Sequence, residues 1–162
     1  MFKIDKIDYE IINALMEDGQ VRAAEIARRL GNKSERAVRY RIDRLVYNKI
    51  IHLSAIINPK GLGLNVVADV LLEIESGLIM DVANKLAALE NISYVACSIG
   101  ETDVSIQVLG TTNAEIYAFV TEVVGKIPGV RKTTTKIVPV VLKDTYQWKL
   151  PASFISNTID DQ

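Results

Sequence analysis

The sequence is poor in the residues that build secreted scaffolds, metal clusters and membrane spans. It has one cysteine, Cys97, and one histidine, His52. A lone cysteine cannot close an intrachain disulfide, which fits a reducing compartment. One cysteine and one histidine cannot supply the ligand set of a zinc centre, so no metal or cofactor is expected. No apolar run approaches the ~20 residues that cross a bilayer, so no membrane partner is expected. The opening Met1-Phe2-Lys3-Ile4-Asp5 turns acidic almost at once, unlike a signal peptide. These absences point to a cytoplasmic protein. The net charge of −1 gives no global sign of a nucleic-acid partner.

What is present is more telling. Hydrophobic residues make up 49% of 162, enough for one ordinary domain or two small ones. Charge is unevenly placed. Residues 1–64 carry 12 Lys and Arg against 8 Asp and Glu, and residues 65–162 carry 7 against 12. A basic front and an acidic back suggest two modules with different partners.

The front reads as helices. Ile4, Ile7, Ile11 and Leu15 form one apolar helical face, with Asp5 as N-cap and Gly19 as stop. A short second helix spans roughly 23–30, with Ile26, Ala27 and Leu30 inward, and Gly31-Asn32 breaks it. Ser34 caps a third helix over 35–47, with Ala37, Val38, Ile42 and Leu45 inward, and Asn48 closes it in the left-handed conformation. Two helices across a tight glycine-containing turn make a helix-turn-helix. The branched run 50–57 reads as a linking strand. Asn58-Pro59-Lys60-Gly61-Leu62-Gly63 is a turn-rich hinge.

The back alternates between strands and helices. Strands are read at 66–74, 92–99, 104–109 and 130–142, and helices at 78–89 and 114–127. Ile116, Phe119, Val120 and Val123 face inward on the second of these helices. The order βαββαβ is the split, ferredoxin-like arrangement, with helices on one sheet face only. The other face needs a partner, and Val66, Val70 and Leu72 are candidates for it or for the core. The expected organisation is a helix-turn-helix domain with linking strand at 1–58 and a hinge at 59–65. An effector-binding and oligomerisation domain follows at 66–143, then a tail at 144–162, frayed from 151.

These pieces, in this order and spacing, resemble the Lrp/AsnC (feast/famine) family of transcriptional regulators. The resemblance runs from about Ile4 to Lys143. It rests on Ile4-Asp5-Lys6-Ile7-Asp8, Ile26-Ala27-Arg28-Arg29-Leu30-Gly31 and the run Ser34 to Leu45. In the back half it rests on Gly100-Glu101-Thr102-Asp103 and on Pro128-Gly129-Val130 with Thr133 and Thr135. It implies an α+β protein: an N-terminal winged helix-turn-helix and a C-terminal ferredoxin-like effector domain. It also implies no enzymatic activity and a homodimer that assembles further to an octamer. The chain departs from the family pattern at three places. Gly31-Asn32-Lys33-Ser34 is one residue longer than usual. Asn48 stands where a glycine is usual and comes one residue sooner. Thr102 replaces a usual aromatic residue.

Between Gly19 and Ile51 there are 9 Lys and Arg against 3 Asp and Glu. Such a basic stretch is either a solvated face or a DNA footprint, and the preceding helix-turn-helix favours double-stranded DNA. Arg36, Arg39 and Tyr40 lie on the N-terminal, outward side of the third helix, where side chains meet base edges. Arg28, Arg29, Lys33, Arg44 and Lys49 are placed to contact phosphates, with Ser34 at the helix start. Arg41 sits beside the apolar stripe, so an ion pair with Asp8 and a phosphate contact are both open.

Gly100–Asp103 is either a plain polar hairpin or an effector loop. In the family this loop lies between dimers. The resemblance therefore implies that Gly100, Glu101, Thr102 and Asp103, with Thr133 and Thr135, bind a small effector such as an amino acid. Cys97 is expected to be a buried small apolar residue. His52 reads as structural, and Trp148 with Tyr146 as packing or subunit contact. Two other functions fit the architecture. One is a haem-pathway tetrapyrrole decarboxylase, which a chain whose only histidine is His52 serves poorly. The other is an architectural DNA-binding protein without ligand.

Overall fold

Asp5 starts the first helix by a reciprocal cap: its carboxylate accepts from Asp8 N–H at 2.8 Å, and Asp8 accepts from Asp5 N–H. The computed structural model describes residues 2–31 and 33–156, the side chain of Thr145 excepted. The chain divides into two compact units, Met1–Ile56 with Lys143–Gln162, and Ile57–Leu142.

The first unit contains α1 (Lys6–Glu17), α2 (Ala23–Arg29) and α3 (Glu35–Tyr47). Ile11, Ile12, Ile26, Val38 and Leu45 form its centre, with Ile4 at the margin. Each fully buried aliphatic chain of this size contributes about 1.5–3 kcal/mol relative to exposure. The glycine turn after α2 puts Gly31 at φ 65. Asn48, expected to be left-handed, instead has φ −81 and donates from its side-chain amide to Arg44 O. Lys49 takes the positive φ, at 56. The left-handed residue therefore comes one position later than expected.

Two further expectations are corrected here. Residues 50–57, expected as a strand, form none, because within the chain they have no ladder to join. The first unit's strand-like contact is instead a parallel bridge between Ile4 and Ile155, with Ser156 N–H donating to Ile4 O at 2.8 Å. The tail is thus not frayed over 151–156, since Leu150 packs against the helical core and Ile155 lies beside the start of α1. Residues 157–162 of the expected tail lie outside the described residues.

The second unit opens with a 3-10 turn, Pro59–Leu62. It continues as β1 (Val66–Ile74), α4 (Ile79–Ala87), β2 (Ile92–Cys97), β3 (Val104–Gly110), α5 (Asn113–Glu122) and β4 (Val130–Ile137). The sheet order is β2-β3-β1-β4, with β1–β3, β2–β3 and β1–β4 all antiparallel. Alternation decides the faces. Ala68, Val70, Leu72 and Ile74 bury against α4 and α5 with Val104, Ile106 and Val108. Val70 and Leu72 are thus core residues, not open-face ones. The opposite face carries Asp69, Leu71, Gln107 and Lys136, a mixed surface rather than an apolar one. The last helix ends earlier than expected and tightens into a 3-10 turn at Val124–Lys126. That rotation buries Val124 completely and leaves Val123 39% exposed, reversing the expected inward residue. The last strand also stops short, at Ile137.

Candidate nucleic-acid interface

The recognition helix is fixed at its start by Ser34, whose hydroxyl accepts from Ala37 N–H at 3.2 Å. Its rotation is fixed by Val38 and Leu45, both buried. That rotation turns Arg36, Arg39 and Tyr40 outward, and Tyr40 is 67% exposed. Arg36 and Tyr40 have no ionic or hydrogen-bonding partner among the described residues. Arg39 is paired to Glu35 one turn back. Lys33 and Lys49 are exposed at the two ends of the helix.

On α2, Arg28 and Arg29 share one carboxylate. Glu25 accepts from Arg28 Nη2 at 2.8 Å and from Arg29 Nε at 3.1 Å. The hydrogen bond from Arg28, then that from Arg29, holds the Glu25 carboxyl below its ordinary value. Arg28 is raised in turn, first by its hydrogen bond to Glu25 and then by the carboxylate's charge. Both arginines stay at the surface, so their charge can turn to a phosphate by giving up an exposed pair of little net worth.

Arg41 and Arg44 are committed elsewhere. Arg41 Nη1 donates to Asp5 at 2.7 Å and to Asp8 at 2.8 Å. Arg44 Nη2 donates to the other oxygen of Asp8 at 2.6 Å, and its guanidinium stacks 5.2 Å from the Phe2 ring centre. Asp8 is fully buried. The two readings left open for Arg41 therefore resolve to an ion pair. Arg44, expected to contact phosphate, is held by Asp8 and links α1 to α3. The part of Asp5 was not expected, though its place one turn before Asp8 was the available signal. Asp43 and Tyr47, also outward on α3, were likewise not singled out.

The loop between β2 and β3 is built by its own hydrogen bonds. Ser98 N–H donates to Asp103 O at 2.8 Å, and Ser98 Oγ to Thr102 O at 2.8 Å. Asp103 N–H donates to Leu72 O at 2.9 Å. Its carboxylate accepts from Ile74 N–H at 2.7 Å, where the β1–β4 register slips. Gly100 and Glu101 remain exposed at the tip. Thr133 and Thr135 pair with Leu72 and Val70, on the far side of β1 from β3. Two strand spacings, about 10 Å, therefore separate them from the loop within one chain. Cys97 is not buried as expected. It is exposed at the end of β2, 4.0 Å from the sulfur of Met80. His52 and Trp148 are also exposed. Tyr146 and Lys149 line a groove of about 560 Å³ against Tyr9, Asn13 and Met16 of α1, which the sequence did not announce. No helix among the described residues is long and apolar enough to cross a membrane.

Comparison with known proteins agrees with this geometry. Residues 4–46 match the AsnC-type helix-turn-helix domain, and residues 59–150 match an AsnC-type C-terminal dimeric alpha+beta barrel domain. An uncharacterised helix-turn-helix transcriptional regulator of Pyrococcus furiosus is 35% identical over 144 residues, 88% of this chain and 97% of that protein. The regulator FL11 of the same organism is 34% identical over 143 residues, 88% of this chain and 93% of its own. Among solved structures, AsnC of E. coli superposes with a TM-score of 0.79 at 23% identity, covering 89% of this chain and 95% of that one. The Neisseria meningitidis regulator NMB0573, described as a complex with L-Met, superposes at 0.84 with 22% identity, covering 92% and 97%. The Pyrococcus relatives are named as transcriptional regulators. The chain belongs to the Lrp/AsnC family of dimeric, DNA-binding transcriptional regulators.

Proposed function

We propose that the chain reads duplex DNA with the outward side of α3, and that a small effector, an amino acid, acts at the loop between β2 and β3. The observation that carries the first part is the exposed pair Arg36 and Tyr40, without a partner among the described residues, on a helix whose cap and buried side fix its rotation. Arg36 can bridge O6 and N7 of guanine, and Tyr40 can meet a thymine methyl or a phosphate. Arg39 joins them once it leaves Glu35. Lys33, Lys49, Arg28 and Arg29 serve as phosphate contacts that set register. Ser34 acts through its cap, and Arg41 and Arg44 act by holding α3 to α1. A selection from random duplexes tests this. Wild type is expected to enrich a palindrome, and Arg36→Ala to lose preference at one position of each half-site. An unchanged motif in the variant removes the proposal.

The effector reading is supported by the exposed loop tip and, at the level of fold, by the L-Met complex of the Neisseria relative. With the Asp103 carboxylate held by Ile74 N–H, Glu101 is the better acceptor for an ammonium group, and Gly100 and Thr102 offer donors to a carboxylate. Thr133 and Thr135 can add hydroxyls only from a neighbouring chain. Assembly and ligand are thus linked, with an octamer of four dimers as the proposed form. Sedimentation with a panel of amino acids is expected to show one that shifts wild type but not Glu101→Gln. A panel that shifts nothing leaves the DNA reading intact and ends this one.

A further inference from the structure

Asp43 is an acid on a basic helix, and the fold gives it no structural occupation. It is exposed on α3, without a hydrogen bond or ion pair among the described residues. Its neighbouring carboxylates are otherwise engaged: Glu25 and Glu35 hold arginines, and Asp5 and Asp8 hold Arg41. Arg39 lies one turn before Asp43 but pairs back to Glu35 instead. That choice is physical, because an acid N-terminal to its base is the better helical orientation. Aspartate is also among the weaker helix formers, and a carboxylate toward the C-terminal end opposes the helix dipole. Asp43 therefore costs the helix a little and returns it no contact.

Its position supplies a reason. At 100° per residue, Arg36, Tyr40, Asp43 and Tyr47 fall within a sector of about 60°, so Asp43 shares the face proposed for DNA. Tyr40 and Tyr47 flank it at 67% and 86% exposure. A carboxylate on that face is repelled by every phosphate and can only accept hydrogen bonds. In the major groove the donors are cytosine N4 and adenine N6, and adenine sets its acceptor N7 beside the amine. Cytosine is thus the favoured partner of an acid.

We propose that Asp43 is a specificity-determining residue that accepts a hydrogen bond from cytosine N4. The inference rests on the α3 interface proposed above. Arg36 and Asp43 are seven residues apart, roughly 10 Å along the axis, so they read different base pairs. Asp43 also lowers affinity for DNA lacking that cytosine, since its charge then faces phosphates without compensation.

The test is selection from random duplexes at one fixed salt concentration, using the full chain. Wild type, Asp43→Ala, Asp43→Asn and Arg36→Ala are compared. In Asp43→Ala, a cytosine preference of roughly fivefold or more at one base pair should vanish, while the position read by Arg36 is kept. Binding to an unrelated duplex should rise severalfold in the same variant, because a repulsive charge is gone. In Asp43→Asn, that base pair should move toward adenine, whose N6 and N7 suit an amide. A motif unchanged in Asp43→Ala but altered in Arg36→Ala overturns the role of Asp43 alone. A motif unchanged in both overturns the α3 interface and this inference with it. The side chain has no partner among the described residues, so these outcomes are not confused with unfolding.

Discussion

Asp8 Oδ1 accepts a hydrogen bond from Arg41 Nη1 at 2.8 Å, joining the first helix to the recognition helix through a carboxylate with no exposed surface. The second Asp8 oxygen takes Arg44, so one acid sets two turns of α3 against α1. Removing the acid leaves Arg44 without its carboxylate in a partly dry site and Arg41 with Asp5 alone. For a buried pair that loss runs to about 3–5 kcal/mol. Here the arginine side chains are 24% and 35% exposed, so about 2–3 kcal/mol is expected for Asp8→Ala after screening. Chemical denaturation followed by helical signal measures it. DNA affinity should fall alongside, because α3 loses its set position.

Acid should loosen the same joint. Burial pushes the Asp5 carboxyl up, but the Asp8 N–H and the hydrogen bond and charge of Arg41 outweigh it, so the group lies below its ordinary value of 3.8. A carboxyl depressed by folding binds fewer protons folded than unfolded, so its contribution is full above about 3.8 and fades as pH falls through the folded value. Melting temperatures taken from about pH 5 downward should drop in wild type, and less steeply in Asp5→Asn. Equal slopes would show that Asp5 is not the titrating cap.

The sequence disclosed most of this architecture because its signals were local. Asp5 and Ser34 sit one turn before the N–H groups they cap, and β1 was legible from its run of branched residues, though which face Val70 took was not. It failed where the answer lay across the fold. Arg44 looked free on a helical wheel because Asp8 is 36 positions away. The run 50–57 has strand composition, but composition does not provide a neighbour to pair with. The hydrogen bond from Ile74 N–H to Asp103 was not foreseen, because Ile74 lies 29 positions earlier. Cys97 was expected inside by residue type, yet it ends β2 at the sheet edge and faces solvent.

That claim on Asp103 makes a prediction of its own. Asp103→Ala leaves the part-buried Ile74 N–H without its acceptor, at a cost of about 1–3 kcal/mol. Asp103→Asn keeps an acceptor oxygen and should recover most of the loss. Thermal melting of the two variants checks the order. DNA binding by the folded fraction should be unchanged in both, because the residue is in the second unit.

Phosphate contacts differ by how free their charges already are. Lys33 is exposed, with no side-chain hydrogen bond or ion pair among the described residues. Lys33→Ala should therefore weaken all duplexes similarly and lower the salt slope of binding by about 1. Arg28 must first leave Glu25, so Arg28→Ala should lower the slope less, and Glu25→Gln should raise affinity at low salt. Titrations at several salt concentrations give all three values. A larger effect from Arg28 than from Lys33 would mean that α2, not the turn before α3, lies nearer the backbone.

The returning C-terminal segment should matter to the helices it touches. Beyond the domain match that ends at 150, Ile155 still bridges to Ile4, and Ser156 N–H still finds Ile4 O. Ile4 is 9% exposed and immediately precedes the Asp5 cap. A chain ending at Leu150 loses one backbone hydrogen bond and part of the cover of one isoleucine. Together these are worth about 1–2 kcal/mol. The loss should fall on the first unit only. Hydrogen exchange should speed up in the first turns of α1 and stay unchanged in β1 and β3. Faster exchange across the sheet as well would mean that the segment stabilises the chain as a whole, and unchanged exchange in α1 would mean that the bridge carries no weight.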